Sequence, residues 1–233
     1  MKLFYHPDPL QELSLSEEES LHATKVLRLK EGDHISLLDG KGHRYEAELI
    51  KANAKKCSFK ILETFEEQKK RSYSLHLAVA PTKNIDRIEW FVEKAVEIGI
   101  DEISFLQCEH SERKNINTER IEKIAVSALK QSMNLYLPVI HELVPYKKFI
   151  SEKRDEHCFI AHLEEGDRKV FKQEIIDKER ILILIGPEGD FSKEEIQLAL
   201  AHGYIPVTLG ESRLRTETAA LAACFICNTI KAS

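Results

Sequence analysis

The chain has 233 residues, enough for one large domain or two smaller ones. Hydrophobic residues make up 42% and charged residues 31%, an ordinary water-compatible balance, and the net charge of −5 excludes nucleic-acid binding through overall charge alone. Any phosphate contact must come from a local basic patch. No apolar run approaches the roughly 18 residues of a membrane span, and Met1-Lys-Leu-Phe-Tyr-His-Pro7 lacks the apolar core of a signal peptide. Five scattered cysteines, an odd number, fit a reducing cytoplasm better than a disulfide framework.

Strand signals dominate up to about residue 65. A short helix comes first, with Ser16 as its cap, Glu19 completing a capping box, and Val26, Leu27 and Leu29 at its end. His34 to Leu38 reads as a strand and Asp39-Gly-Lys-Gly42 as a hairpin turn. Tyr45, Ala47 and Leu49 alternate with Arg44, Glu46 and Glu48; Cys57, Phe59 and Ile61 alternate with Lys56, Ser58 and Lys60. Short alternating strands joined by turns predict a small barrel or sandwich. The charged stretch Glu66-Glu-Gln-Lys-Lys-Arg71 is the best linker.

From Ser74 onward, strands and helices alternate. Leu75, Leu77 and Val79 lie on a strand ending at Pro81. Asn84 caps a helix with the apolar face Ile88, Phe91, Val92, Ala95 and Ile98, stopped by Gly99. Ile103 to Leu106 is a strand, and Ile121, Ile124, Ala125, Ala128 and Leu129 form a second helical stripe. Further strands are marked by Val139 and Ile140, Phe159 to Leu163, Ile181 to Ile185 and Ile205 to Leu209. Ser192 and Glu195 form a capping box for a helix ended by Gly203. This alternation predicts a parallel sheet covered by helices.

Two of these strands end in loops with chemical content. Gly186-Pro-Glu-Gly189 joins a buried strand to a helix start, where glycines let backbone approach a ligand. Alone, it is equally a tight turn. Gly210-Glu-Ser-Arg-Leu-Arg-Thr-Glu-Thr218 precedes a small-residue helix, Ala219 to Ala223, with Thr216 as its expected cap. Arg213 and Arg215 sit at that helix N-terminus, where cations are disfavoured by roughly 0.3–1 kcal/mol. Their presence suggests a phosphate or carboxylate to hold, or else two solvated arginines beside Glu217. Ligands of open α/β sheets bind at the carboxyl ends of strands, where both loops fall.

Other motifs are weak or missing. There is no G-x-G-x-x-G after a strand, no G-x-x-x-x-G-K-[ST] and no G-x-S-x-G. Cys224-x-x-Cys227 lacks a second pair and reads as buried small residues. The ten histidines form no H-x-x-x-H or H-E-x-x-H set, so no metal is expected. Lys25-Val-Leu-Arg-Leu-Lys30, just before a glycine turn on a small β module, is either a solvated surface or an RNA contact.

Taken together these residues resemble the 16S ribosomal RNA uridine-N3 methyltransferase family, RsmE-type, of the SPOUT superfamily. The resemblance covers the whole chain. It is carried by His22-x-x-x-Val-Leu-Arg-Leu29 with Gly32-Asp33 and Asp39-Gly-x-Gly42, and by Lys83, Glu93-Lys-Ala-x-Glu-x-Gly99, Ser111-Glu-Arg113 and Gln131-Ser132. Ile185-Gly-Pro-Glu-Gly189 and Leu209-Gly with Leu214-Arg-Thr-Glu-Thr-Ala219 complete it, and these last two together are the most specific. The family pattern differs in three segments. It has a second glycine where Asp190 stands, and Arg-Ile where Ser212 and Arg213 stand. It reads Glu-Gln-Ser-Gly-Arg where this chain reads Lys130-Gln-Ser-Met-Asn134.

The resemblance implies an α/β fold, with a PUA-like RNA-binding β-barrel over residues 1–70 and a trefoil-knotted SPOUT methyltransferase domain over 71–233. It further implies a cytoplasmic homodimer that needs no metal or membrane. The cofactor would be S-adenosyl-L-methionine and the partner 16S ribosomal RNA or the small subunit. Cofactor contacts would come from His162, Ile185, Gly186, Pro187, Glu188, Gly189, Leu209, Gly210, Leu214, Arg215, Thr216 and Thr218. Arg215 would steady the anionic uridine, with Glu217 or Glu188 orienting it or accepting its proton. Lys25, Arg28, Lys30, Arg44, Lys83 and Arg113 are the RNA-contact candidates. A competing expectation is a ribosome-binding assembly factor that keeps this fold without transferring methyl.

Overall fold

The computed structural model describes residues 2–66 and 71–231. Residues 67–70 of the expected linker lie outside this range. The chain forms two compact units. One comprises Met1–Lys70 together with Val126–Leu137, and the other Arg71–Ala125 with Pro138–Ser233.

In the first unit, four strands form one sheet in chain order: β1 (Leu3–Tyr5), β2 (His34–Leu38), β3 (His43–Lys51) and β4 (Ser58–Glu66). β1 pairs parallel to β2, an addition that a three-residue run did not announce. The alternation expected in β3 holds: Tyr45, Ala47 and Leu49 are buried and join Phe4, Ile35, Leu37 and Phe59 in one core. The turn between β2 and β3 is built around the buried Asp39. Its carboxylate accepts the Lys41 and His43 amides at 2.7 and 3.1 Å and lies 2.7 Å from His43 Nδ1. Gly40 and Gly42 take φ of 72° and 107°. A Cβ on Gly42 would lie 2.6 Å from the Tyr136 hydroxyl, so glycine is required for this close approach.

The first helix, α1 (Glu17–Leu21), is capped by the Ser16 hydroxyl, which accepts the Glu19 amide. Only that half of the expected box forms, because Glu19 Oε1 instead takes Lys130 Nζ at 2.7 Å. The helix widens into a π-helical turn over His22–Val26. Of the three apolar residues at its end, Leu29 is buried, whereas Leu27 is 37% and Val26 65% exposed.

The second unit is a seven-stranded parallel sheet in the order β7-β6-β5-β10-β8-β11-β9. Its strands are β5 (Ser74–Val79), β6 (Glu102–Gln107), β7 (Val139–Pro145), β8 (His157–Ala161), β9 (Lys169–Val170), β10 (Arg180–Ile185) and β11 (Ile205–Thr208). The helices are α2 (Ile85–Ile98), α3 (Thr118–Ser132), α4 (Tyr146–Ser151), α5 (Phe171–Glu174), α6 (Lys193–Ala201) and α7 (Thr216–Lys231). Of α3, residues up to Ala125 belong to the second unit and the rest to the first.

Central β10 explains the unbroken run Ile181 to Ile185. Flanked by strands on both sides and covered on both faces, all five side chains are 0–3% exposed. Each such burial contributes about 1.5–3 kcal/mol. Asn84 caps α2 and Gly99 ends it with φ 109°. The Ser192–Glu195 capping box of α6 is complete. Cys224 and Cys227 are fully buried on α7, and burial pushes the Cys224 thiol up to about 12. The short elements β9, α4 and α5 escaped the sequence reading. Among the described residues, no helix is long and apolar enough to cross a membrane.

Candidate functional site

Because the strands are parallel, the loops after β8, β10 and β11 leave the same edge of the sheet, and β8 lies between the other two strands. These loops enclose a cavity of about 540 Å3. Its wall includes His162 and Leu163 after β8, Ile185 to Glu188 and Asp190 after β10, and Leu209 to Thr216 after β11. The Thr216 hydroxyl donates to the Gly186 carbonyl at 2.9 Å, joining the two glycine-containing loops directly. Thr216 was expected to cap α7. Instead it is the first helical residue, and Arg215 holds the cap position, with its carbonyl accepting the Ala219 amide at 2.7 Å.

Gly186 is tightly enclosed: an added Cβ would sit 3.1 Å from the Phe191 ring. Gly210, with φ 151°, has nothing within 4 Å of that position, so the cavity runs up to its backbone. His162 is 8% exposed, and among the described residues neither ring nitrogen makes a well-formed hydrogen bond, the backbone of Glu164 being its nearest such group. Burial lowers its proton affinity, against the opposing pull of Asp190, so its ring is neutral at pH 7. A buried, unsatisfied imidazole on a cavity wall marks a place where a ligand's polar atoms are missing.

Asp190 explains itself once its conformation is seen. Its φ of 63° is left-handed, the region that glycine enters freely and aspartate tolerates. Its carboxylate accepts the Leu163 amide at 2.7 Å and the Phe191 amide at 2.8 Å, tying the β10 loop to the β8 loop. The sequence departure at 190 therefore exchanges glycine's freedom for two hydrogen bonds.

Of the residues expected to contact a cofactor, His162, Ile185, Gly186, Pro187, Glu188, Leu209, Gly210, Leu214, Arg215 and Thr216 all line this one cavity. Gly189 and Thr218 lie outside its wall; Gly189 packs toward His110. Arg215 is exposed on the wall. Glu188, also on the wall, accepts the Lys83 amide at 3.0 Å. Glu217 is buried behind the wall: Oε1 lies 3.8 Å from Arg87 Nε, and Oε2 has no hydrogen-bond partner among the described residues. Arg87 and Arg168 also line the wall, and Arg168 donates to the His162 carbonyl at 2.6 Å. Neither was singled out from sequence, because each comes from a loop or helix start without a motif of its own.

The RNA-contact candidates separate by environment. Lys25, Arg28 and Lys30 are exposed around the π-helical turn, with Arg28 at φ 53°. Lys25 and Arg28 have no ion-pair partner among the described residues. Arg44 stacks over Phe65 at 4.7 Å. Lys83 pairs with Glu112 at 2.8 Å. Arg113 donates to the carbonyls of Thr82 and Lys83, which makes it a brace for the β5 loop.

Residues 68–228 match the RNA methyltransferase domain family, and residues 15–62 match the RNA methyltransferase PUA domain. The chain belongs to the RNA methyltransferase family. This methyltransferase is 28% identical over 219 residues to the ribosomal RNA small subunit methyltransferase E of Buchnera aphidicola, covering 90% of this chain and 84% of that one. A probable rRNA-methyltransferase from Porphyromonas gingivalis superposes with a TM-score of 0.90 at 42% identity, covering 100% of this chain and 99% of its own. The ribosomal RNA small subunit methyltransferase E of Neisseria gonorrhoeae, solved bound to S-adenosyl methionine, gives a TM-score of 0.84 at 26% identity, covering 98% and 97%. The expected PUA-type domain at the N-terminus and the parallel α/β sheet of this methyltransferase agree with these relatives.

Proposed function

We propose that this methyltransferase moves a methyl group from S-adenosylmethionine to N3 of a uridine in 16S ribosomal RNA. The observation that carries the reading is the Thr216–Gly186 hydrogen bond, which makes one cavity of the two loops on which the family resemblance rests. The cavity fits the cofactor. Its volume lies within the roughly 300–1,000 Å3 of small-molecule sites. Its wall also offers backbone edges at Gly186 and Leu209 to Leu214 and the unpaired ring of His162.

When bound, S-adenosylmethionine supplies a methyl group on a positively charged sulfur. The remaining chemistry falls to the chain. Uridine N3 carries a weakly acidic proton, and negative charge develops on the base as that proton leaves. Arg215, exposed on the wall, stabilises this charge. Glu188 accepts the proton, since its Oε1 is fixed by the Lys83 amide while the side chain stays exposed. Glu217, enclosed behind the wall, holds Arg87 in position. N3 lies on the pairing edge, so the uridine enters unpaired or flipped out. With Arg87 paired to Glu217, the wall presents Arg168, Arg213 and Arg215, local cations available to an RNA substrate despite the net charge of −5. Arg213 keeps an arginine on the wall where Ser212 lacks one.

The same reading includes an RNA-binding domain over 1–70, to which 126–137 adds, and a trefoil-knotted catalytic domain in the rest of 71–233, acting as a cytoplasmic homodimer. Lys25, Arg28, Lys30 and Arg44 then serve as phosphate contacts. The exposed Trp90 and Phe225, on the mutually packed helices α2 and α7, offer apolar surface for self-association. Mass spectrometry of ribosomal RNA nucleosides tests the activity. Cells lacking this chain should lose one N3-methyluridine from 16S RNA, and purified chain with the cofactor should restore it. An unchanged nucleoside profile would overturn the proposal.

A further inference from the structure

At the opposite edge of the second unit's sheet, near the start of the strands, His76 on β5, Glu102 on β6 and His141 on β7 converge. One ligand atom from each lies within 4.8 Å of the others. Glu102 Oε2 is 3.1 Å from His141 Nε2 and 3.9 Å from His76 Nδ1. These separations bracket the roughly 3.4 Å edge of a tetrahedron whose metal–ligand bonds are about 2.0–2.1 Å. Glu156 Oε1, just before β8, lies 3.7 Å from His76 Nδ1 and adds a second carboxylate.

Two further observations separate this group from an ordinary ion pair. His76 is 5% exposed and its Nδ1 has no hydrogen-bond partner among the described residues, while Nε2 lies 2.8 Å from Ser104 Oγ. With Nε2–H donating to Ser104, the Nδ1 lone pair points toward the other ligands, the arrangement in which a histidine ligand is held by a partner at its other nitrogen. Secondly, the β6–β7 ladder is interrupted here. Between the pairs Ile103–Ile140 and Phe105–Leu143, His141 and Glu142 face the single residue Ser104. Such a bulge re-aims a side chain. It falls opposite the residue that orients His76.

We propose that His76, Glu102 and His141 form a site for a zinc-type divalent transition ion, with Glu156 as the supporting carboxylate, which pins the starts of β5, β6 and β7 together. Nitrogen and carboxylate donors select zinc or cobalt over magnesium or calcium. The two carboxylates match the charge of a dication, and nearby Arg154 is already paired with Glu152 at 2.7 Å. The H-x-x-x-H spacings missing from the sequence are no obstacle, because each ligand comes from a different strand. This site is independent of the cofactor cavity.

The test uses tag-free full-length chain stripped with a chelator and titrated with Co2+. One equivalent should bind, with the strong visible absorption of a tetrahedral nitrogen–oxygen site, and Zn2+ should displace it and raise the melting temperature. His141→Ala, at a side chain 44% exposed and outside the core, should weaken Co2+ binding at least about 10–100-fold and abolish the zinc-induced rise. Ser104→Ala should weaken binding with all ligands kept, whereas His34→Ala, an exposed histidine of the other unit, should bind normally. Absence of stoichiometric binding, or H141A binding as tightly as the parent, would overturn the proposal.

Discussion

The hydroxyl of Thr216 donates to the carbonyl of Gly186 across 30 positions of sequence, at 2.9 Å and out of solvent. Thr216→Val keeps the shape and removes the donor, leaving a buried carbonyl unpaired at a cost of about 1–3 kcal/mol. Urea unfolding should show that loss, and calorimetry should show weaker S-adenosylmethionine binding. Thr216→Ser should restore most of both. Equal stability of the valine and serine variants would remove this bond from the account.

Arg215 should separate binding from turnover. Arg215→Ala is expected to lower the rate of RNA methylation by about 10²–10³-fold, the usual effect of removing one charge-stabilising donor. The cofactor's dissociation constant, measured in parallel, separates this loss from any cofactor contact the same side chain makes. Normal turnover would exclude a catalytic role for this side chain.

Asp190 and Met133 both occupy left-handed backbone, at φ 63° and 59°, and should respond oppositely to substitution. Asp190→Ala loses the bonds to the Leu163 and Phe191 amides and should cost about 1–3 kcal/mol, with Asp190→Asn in between. Met133 has no such compensation, and its side chain is 60% exposed. Met133→Gly relieves about 1–2 kcal/mol of backbone strain, offset by about 0.5–1 kcal/mol of added freedom in the unfolded chain. A small rise in the urea midpoint is expected; a fall would contradict the strain argument.

His162 gives the site a pH dependence. Its folded pKa lies below the ordinary value because burial disfavours the cation, and Arg168 reinforces this against the pull of Asp190 and Glu164. The unfolded chain therefore takes up the proton first as pH falls through about 6.5. The contribution of His162 is complete above that pH and declines as the pH drops toward the folded pKa. Stability measured from pH 7.5 to 5 should fall less steeply in His162→Gln than in the parent.

The elements that could be read from sequence were those whose own residues carry the signal. The run Ile181 to Ile185, the caps Asn84 and Ser192 and the alternation around Tyr45 each announce structure locally, and the cavity loops carry their glycines with them. What escaped depends on partners distant in the chain. β1 and β9 are strands of three and two residues that exist by pairing. Thr216 looked like a cap because nothing nearby names Gly186 as its acceptor. Glu217 sits beside Arg215 in sequence yet lies behind the wall. Arg87 and Arg168 reach the cavity from separate segments, as do the three strands that bring His76, Glu102 and His141 together.

The hairpin at Gly40 and Gly42 has a practical consequence. Leu137 Cβ would be 2.9 Å from a side chain at Gly40, and the Gly42 amide donates to the Leu135 carbonyl at 2.9 Å. The N-terminal unit is thus finished by residues that the ribosome makes some ninety positions later. A fragment cut at residue 70 would expose the floor on which Tyr136 and Leu137 rest. Transplanting this module into a relative would require carrying 126–137 along with it.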